Sequence, residues 1–209
     1  MAEIVIVDYG AGNVRSMRNA LEHVARPGQR VLLTADPELI RNAERIVLPG
    51  VGAFGECWRK MEEQGVLAPL REAVDRGVPF LGVCVGMQVL ADRGEEFGEH
   101  PGLGWISGVT REIPLPAELG LKLPHIGWAP LERTPHPLWD GIEADAHFYF
   151  VHSFFLDSAT PSDVVARVTY GIPFTAAVAH ANVFGCQFHP EKSDRPGLQL
   201  LGNFCGWSP

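Results

Sequence analysis

Basic residues are the minority in this chain. Its 17 lysines and arginines face 25 aspartates and glutamates, for a formal net charge of −8. A phosphate-backbone partner needs a basic field to meet it, so no nucleic-acid ligand is expected. Also lacking is any apolar stretch near the ~20 residues that span a bilayer, so no membrane role is expected. The start, "MAEIVIVDYG", has no basic leader and carries Glu3 in its first apolar run, so it reads as a strand rather than a signal peptide. Cysteines are few and scattered: Cys57, Cys84, Cys186 and Cys205, with no CxxC pair. That spacing argues against a zinc site or a redox dithiol, and the missing export signal points to reduced thiols in a cytoplasmic protein. "GAGN" (10–13) lacks both G-x-G-x-x-G and a Walker lysine, so it is no phosphate cradle.

What is present is a regular alternation. "EIVIVD" (3–8), "RVLLT" (30–34), "RIVLPG" (45–50) and "VPFLGVC" (78–84) are short β-branched runs that read as strands. Val14, Met17, Leu21 and Val24 recur at helical spacing. "FGECWRKMEEQGVLAPLREAVDRG" carries the same period, interrupted at Gly65 and Pro69. The alternation predicts an α/β fold, a largely parallel sheet flanked by helices. Sites in such sheets form at the carboxyl ends of the strands, so "VDYG", "LPGVG" and "GVCVG" are expected on one edge. The second half predicts strands at 104–113, 146–156, 163–170, 173–180 and 182–189, including antiparallel pairs. Ala181-Asn182 turns a hairpin, and a final helix covers 196–204. No repeat or linker divides the chain, and at this length about 70% of the unfolded surface can be buried, so a single domain over 1–209 is expected.

"GVCVG" (82–86) places Cys84 between two glycines where a strand meets a helical pattern, "MQVLAD". A strand reversing sharply into a helix brings the residues two before and two after the apex together. Small residues relieve that clash and the apex side chain projects from the sheet edge, the nucleophile-elbow pattern. A buried structural thiol explains Cys84 equally well at this point. "QFHPEKS" supplies a matching base. A residue before proline is pushed toward extended geometry, and side chains two apart in extended chain share a side. His189 and Glu191 then form a base and its orienter, although a loop salt bridge reads the same way. "LPGVGAFG" (48–55) offers backbone donors for an oxyanion, together with the amide of Val85.

"IVDYGAGN", "LPGVGAFG", "GVCVGMQVL", "KLPHIGWAPL", "FYFVHS" and "CQFHPEKS" occur in an order and spacing that carry a family signature. The chain resembles the class I, triad-type glutamine amidotransferases, and within them the glutaminase subunits of imidazole glycerol phosphate synthase. The resemblance runs nearly end to end. It implies that Cys84, His189 and Glu191 hydrolyse glutamine, with Val51, Gly52 and Val85 at the oxyanion turn. Gln88 and the backbone of His152 and Ser153 would hold the substrate. It implies a heterodimer with a HisF-type (β/α)8-barrel cyclase that consumes the ammonia, and neither metal nor organic cofactor. Asn13, Trp128, Tyr149 and Lys192 are interface candidates by motif position. Val85, Ala129 and Phe154 depart from the residues usual in the family. A non-catalytic regulator on this fold and a γ-glutamyl hydrolase without ammonia transfer are the competing readings.

Overall fold

The computed structural model describes residues 2–209; Met1, the first residue of the expected domain, lies outside them. Strands β1 (Ala2–Val7), β2 (Gln29–Thr34), β3 (Arg45–Gly50) and β4 (Phe80–Cys84) fall where the apolar runs predict them. Ile4 to Val7 and Ile46 to Leu48 are wholly buried. Sheets covered on both faces select such continuous apolar runs rather than alternation. Helix α1 (Val14–Val24) turns Met17, Ala20 and Leu21 inward. The short α2 (Pro37–Arg41), absent from the sequence reading, is capped by the Asp36 carboxylate, which accepts from the amides of Glu38 and Leu39.

Helices α3 (Phe54–Glu63) and α4 (Leu67–Asp75) split the long periodic segment at Gly65, which has φ +66°. Pro69 does not interrupt it. Pro69 stands in the first turn of α4, where an N–H has no intrahelical acceptor to lose. The helix expected over "MQVLAD" is a single turn, α5 (Val85–Gln88). The carbonyls of Val89, Leu90 and Ala91, which would extend it, accept instead from the amides of Leu103 to Ile106.

The rest of the chain supplies β5 (Arg93–Gly94), β6 (His100–Pro101), β7 (Gly108–Glu112), β8 (His125–Pro130), β9 (Glu132–Arg133) and β10 (His147–His152). These are followed by β11 (Phe154–Ser158), β12 (Val164–Tyr170), β13 (Ile172–His180), β14 (Val183–Cys186) and α6 (Asp194–Gly206). The main sheet runs β2-β1-β3-β4-β14-β13-β12-β9, parallel through β14 and antiparallel beyond it. The expected strand at 146–156 is two strands in two sheets. β10 pairs with β8, β11 pairs with β7, and the chain changes partner at Ser153. One apolar cluster joins both halves. Among the described residues no helix is long and apolar enough to cross a membrane.

Candidate active site

Cys84 ends β4 with φ 56° and ψ −114°, a backbone region that side chains oppose, and it is 4% exposed. The flanking glycines are required by space. A Cβ on Gly82 would lie 2.4 Å from the Gly86 carbonyl oxygen, and one on Gly86 would lie 1.9 Å from that of Leu48. In register, Gly50 stands opposite Cys84 on β3, which brings "LPGVG" alongside the elbow. The strand-end convergence expected from the alternation is present here.

His189 arrives from the far side of the same edge, three residues past β14. Its Nδ1 lies 2.9 Å from Glu191 Oε1, and the two side chains are 2% and 1% exposed. The pair is not built on extended chain as expected. His189 itself is extended, but Pro190–Lys192 is a 3-10 turn, and the turn swings Glu191 back onto the imidazole. Asn13 Nδ2 donates to the same Oε1 at 3.2 Å, so this interface candidate sits behind the pair. The backbone of His189 is tied at both ends: its N–H donates to the Tyr149 carbonyl at 2.9 Å, and its carbonyl accepts from the Ser193 hydroxyl at 2.7 Å and the Lys192 amide at 3.0 Å.

Burial works against a charge on His189, but Cys84 and Glu191 beside it more than offset that cost and raise its pKa to about 9. With Glu191 accepting from Nδ1–H, Nε2 is the nitrogen left for the thiol. It is buried, with no hydrogen-bond partner among the described residues.

A cavity of about 340 Å³ joins Cys84 and His189 with Val51, Gly52, Val85, Gln88, His152 and Ser153. Every residue expected at the oxyanion turn or around the substrate lines it. A larger hollow of about 710 Å³ near Arg133 and Trp139 contains no cysteine. Two residues at the site were missed. Gln187 is fully buried; its Nε2 lies 3.7 Å from Cys84 Sγ and its Oε1 accepts from Gln88 Nε2 at 3.1 Å. Its place two before His189 was the available signal. Glu96 lines the cavity from the loop after β5, and burial raises its pKa although the Phe54 amide donates to it. Nothing in "GEEFG" singles it out.

Gln88 is thus less free than a substrate ligand would be, since its amide also donates to the Phe154 carbonyl at 2.9 Å. His152 is held neutral. Burial pushes its pKa to about 3, against the pull of the Phe154 carbonyl on Nδ1 at 2.8 Å. No group of three or more potential metal ligands occurs among the described residues.

A nucleophile at a strained apex, a paired base and adjacent backbone donors suit acyl transfer. Residues 5–206 match the sequence profile described as glutamine amidotransferase class-I. The chain belongs to the class I glutamine amidotransferases. It is 48% identical to the "Imidazole glycerol phosphate synthase subunit HisH" of Rhodospirillum rubrum, over 99% of each chain. The protein of the same description from Caulobacter vibrioides is 47% identical over the whole of both chains. Solved structures with a related fold include PurLQS from Thermotoga maritima, with a TM-score of 0.74 at 19% identity over 98% of each chain. A crystal structure titled simply as a glutamine amidotransferase has a TM-score of 0.73 at 20% identity, covering 97% of this chain and 99% of that one.

Of the remaining interface candidates, Lys192 reaches the cavity, Tyr149 lies against Lys192, and Trp128 lies against Tyr149. Trp128 is 48% exposed and meets Tyr149 edge-on, with ring centroids 5.8 Å apart. Lys192, which lines the cavity, places Nζ 5.8 Å from the Tyr149 ring centre. Ala129 faces inward from the same strand and is buried.

Proposed function

We propose that this chain is the glutaminase subunit of an imidazole glycerol phosphate synthase, acting in the cytoplasm as one domain over 1–209. It hydrolyses L-glutamine to glutamate and passes the ammonia to a (β/α)8-barrel cyclase in histidine biosynthesis. Cys84 Sγ, its proton already passed to His189 Nε2, attacks the side-chain carboxamide carbon. The amides of Gly52 and Val85 hold the resulting oxyanion; Val85 opens a helical turn, so its N–H has no carbonyl four residues back. The C–N bond then breaks as His189 returns the proton to the departing ammonia, leaving a γ-glutamyl thioester. Water gives its proton to His189, adds to the thioester and releases glutamate and the thiol. Glu191 fixes the imidazole tautomer, with Asn13 steadying the carboxylate. Glu96 supplies a carboxylate for the substrate's ammonium, beside the backbone of His152 and Ser153.

The observation that carries this reading is the cavity that Cys84 shares with His189, whose other ring nitrogen is paired with Glu191. A partner follows from the product. Ammonia released to neutral water is protonated and lost, so the source must face its consumer. Trp128, Tyr149 and Lys192 are the anchors for that face, aromatic and basic side chains being suited to interfaces. The test is ammonia release from glutamine with and without a barrel cyclase. Release that depends on Cys84 and rises with the cyclase is expected. Full turnover by the isolated chain, unchanged by the cyclase, would favour a simple γ-glutamyl hydrolase.

A further inference from the structure

Two carbonyls of the oxyanion turn are held by side chains that do not line the cavity. The Tyr9 hydroxyl donates to the Pro49 carbonyl at 2.9 Å, and the Cys57 thiol donates to that of Val51 at 3.3 Å. Both donors are 1% exposed. Cys57 reaches the turn because α3 points it inward beside Phe54, Trp58 and Met61. In a trans peptide the C=O and N–H point to opposite sides. A Val51 carbonyl fixed on Cys57 therefore turns the Gly52 N–H away from Cys57. Gly52 lines the cavity and has φ +95°, an orientation that a side chain would oppose.

We propose that Cys57 is a positioning residue for glutamine hydrolysis: its thiol holds the Val51–Gly52 peptide so that the Gly52 N–H faces the oxygen charged by Cys84 attack. This rests on the glutaminase reading above. Cys57 takes no part in bond making. The competing role is that of a small apolar filler behind the turn, for which the thiol proton is irrelevant.

The experiment compares Cys57→Ala, Cys57→Val and Cys57→Ser with the parent chain, each in complex with the barrel cyclase. Steady-state kinetics with glutamine are measured, together with the rate at which iodoacetamide alkylates Cys84, read by peptide mass spectrometry. Alkylation displaces iodide at a saturated carbon and builds no oxyanion, so it reports the thiol alone. Removing an oxyanion donor outright costs about 10²–10³ in kcat, and loosening one is expected to cost about tenfold. Cys57→Ala and Cys57→Val are expected to show that loss with KM and alkylation nearly unchanged, and Cys57→Ser to recover most of it, since its hydroxyl also donates. Valine fills the space, so it carries the test if the alanine variant does not fold. Undiminished kcat in the valine variant, or alkylation falling in step with kcat, would overturn the proposal. Absence of ammonia release from the parent complex would overturn the glutaminase reading and this proposal with it.

Discussion

The two walls of the Cys84 cavity are built differently. On the Cys84 side, backbone meets backbone at contacts that leave no room for a methyl group at Gly82 or Gly86, and the His189–Glu191 pair is sealed from solvent. The other side is loosely covered. Val51 in the lining is 42% exposed, and Phe97, next in sequence to the lining residue Glu96, is 90% exposed. Trp128, which reaches the lining residue Lys192 through Tyr149, is 48% exposed. Phe97 also holds φ 55° on the loop that carries Glu96. The first wall fixes reacting atoms, and a misplacement there is felt directly in rate. The second leaves apolar side chains uncovered, as expected of a surface that a partner closes. Substitutions on the two walls should therefore act through different observables.

The largest effect belongs to the nucleophile. Cys84→Ala is expected to lower partner-stimulated ammonia release by about 10⁴-fold or more while the chain remains folded. Cys84→Gly, equally inactive, should unfold at higher denaturant than the alanine variant, because glycine relieves a backbone strain of about 1–3 kcal/mol. Equal midpoints for the two would deny that the apex is strained.

Next is the orienter. Glu191→Gln is expected to lower kcat by about 10³-fold by disturbing the imidazole tautomer and charge. It also removes one of the groups that raise His189, so the imidazole should titrate below about 9 in the variant, as followed by NMR. The raised value stabilises the protonated state. Its contribution to folding is full below the ordinary 6.5 and is lost as pH climbs through about 9. In the variant that loss should occur at lower pH. An unshifted titration would remove Glu191 from the pair.

Gly86→Ala probes the same wall through stability. With the Leu48 carbonyl in the way, it should cost about 3 kcal/mol in chemical unfolding, or prevent folding. The smallest effect on the isolated chain is expected on the open wall. Trp128→Ala should leave stability within about 0.5 kcal/mol. It should weaken cyclase binding by about tenfold or more in calorimetry. If Trp128→Ala destabilised the chain as much as Gly86→Ala, the contrast between the walls would fail.

The legible parts of the molecule are those where one local cause dominates. β3 coincides with "RIVLPG", because a strand covered on both faces must be apolar throughout. The elbow was legible because Gly82 and Gly86 answer a backbone clash that any such turn creates. Partner choice is not local, and two of the misreadings lie there. "AHFYFVHSFFL" reads as one strand, since alternation does not encode that β10 joins β8 while β11 joins β7. "MQVLAD" reads as helix, since periodicity does not reveal that the segment 103–106 takes its carbonyls. Glu96 and Asn13 show the same limit at the site. An acid in a loop and an amide in a glycine-rich turn are ordinary until the fold brings one into the cavity and the other 3.2 Å from Glu191.

The central claim, that Cys84 is acylated by glutamine, is tested most directly by acid-quenching the complex during turnover and mapping the γ-glutamyl group by peptide mass spectrometry. The account predicts a thioester on the peptide containing Cys84, absent when glutamine is omitted. Ammonia release with the acyl group on Cys57, Cys186 or Cys205 would contradict it.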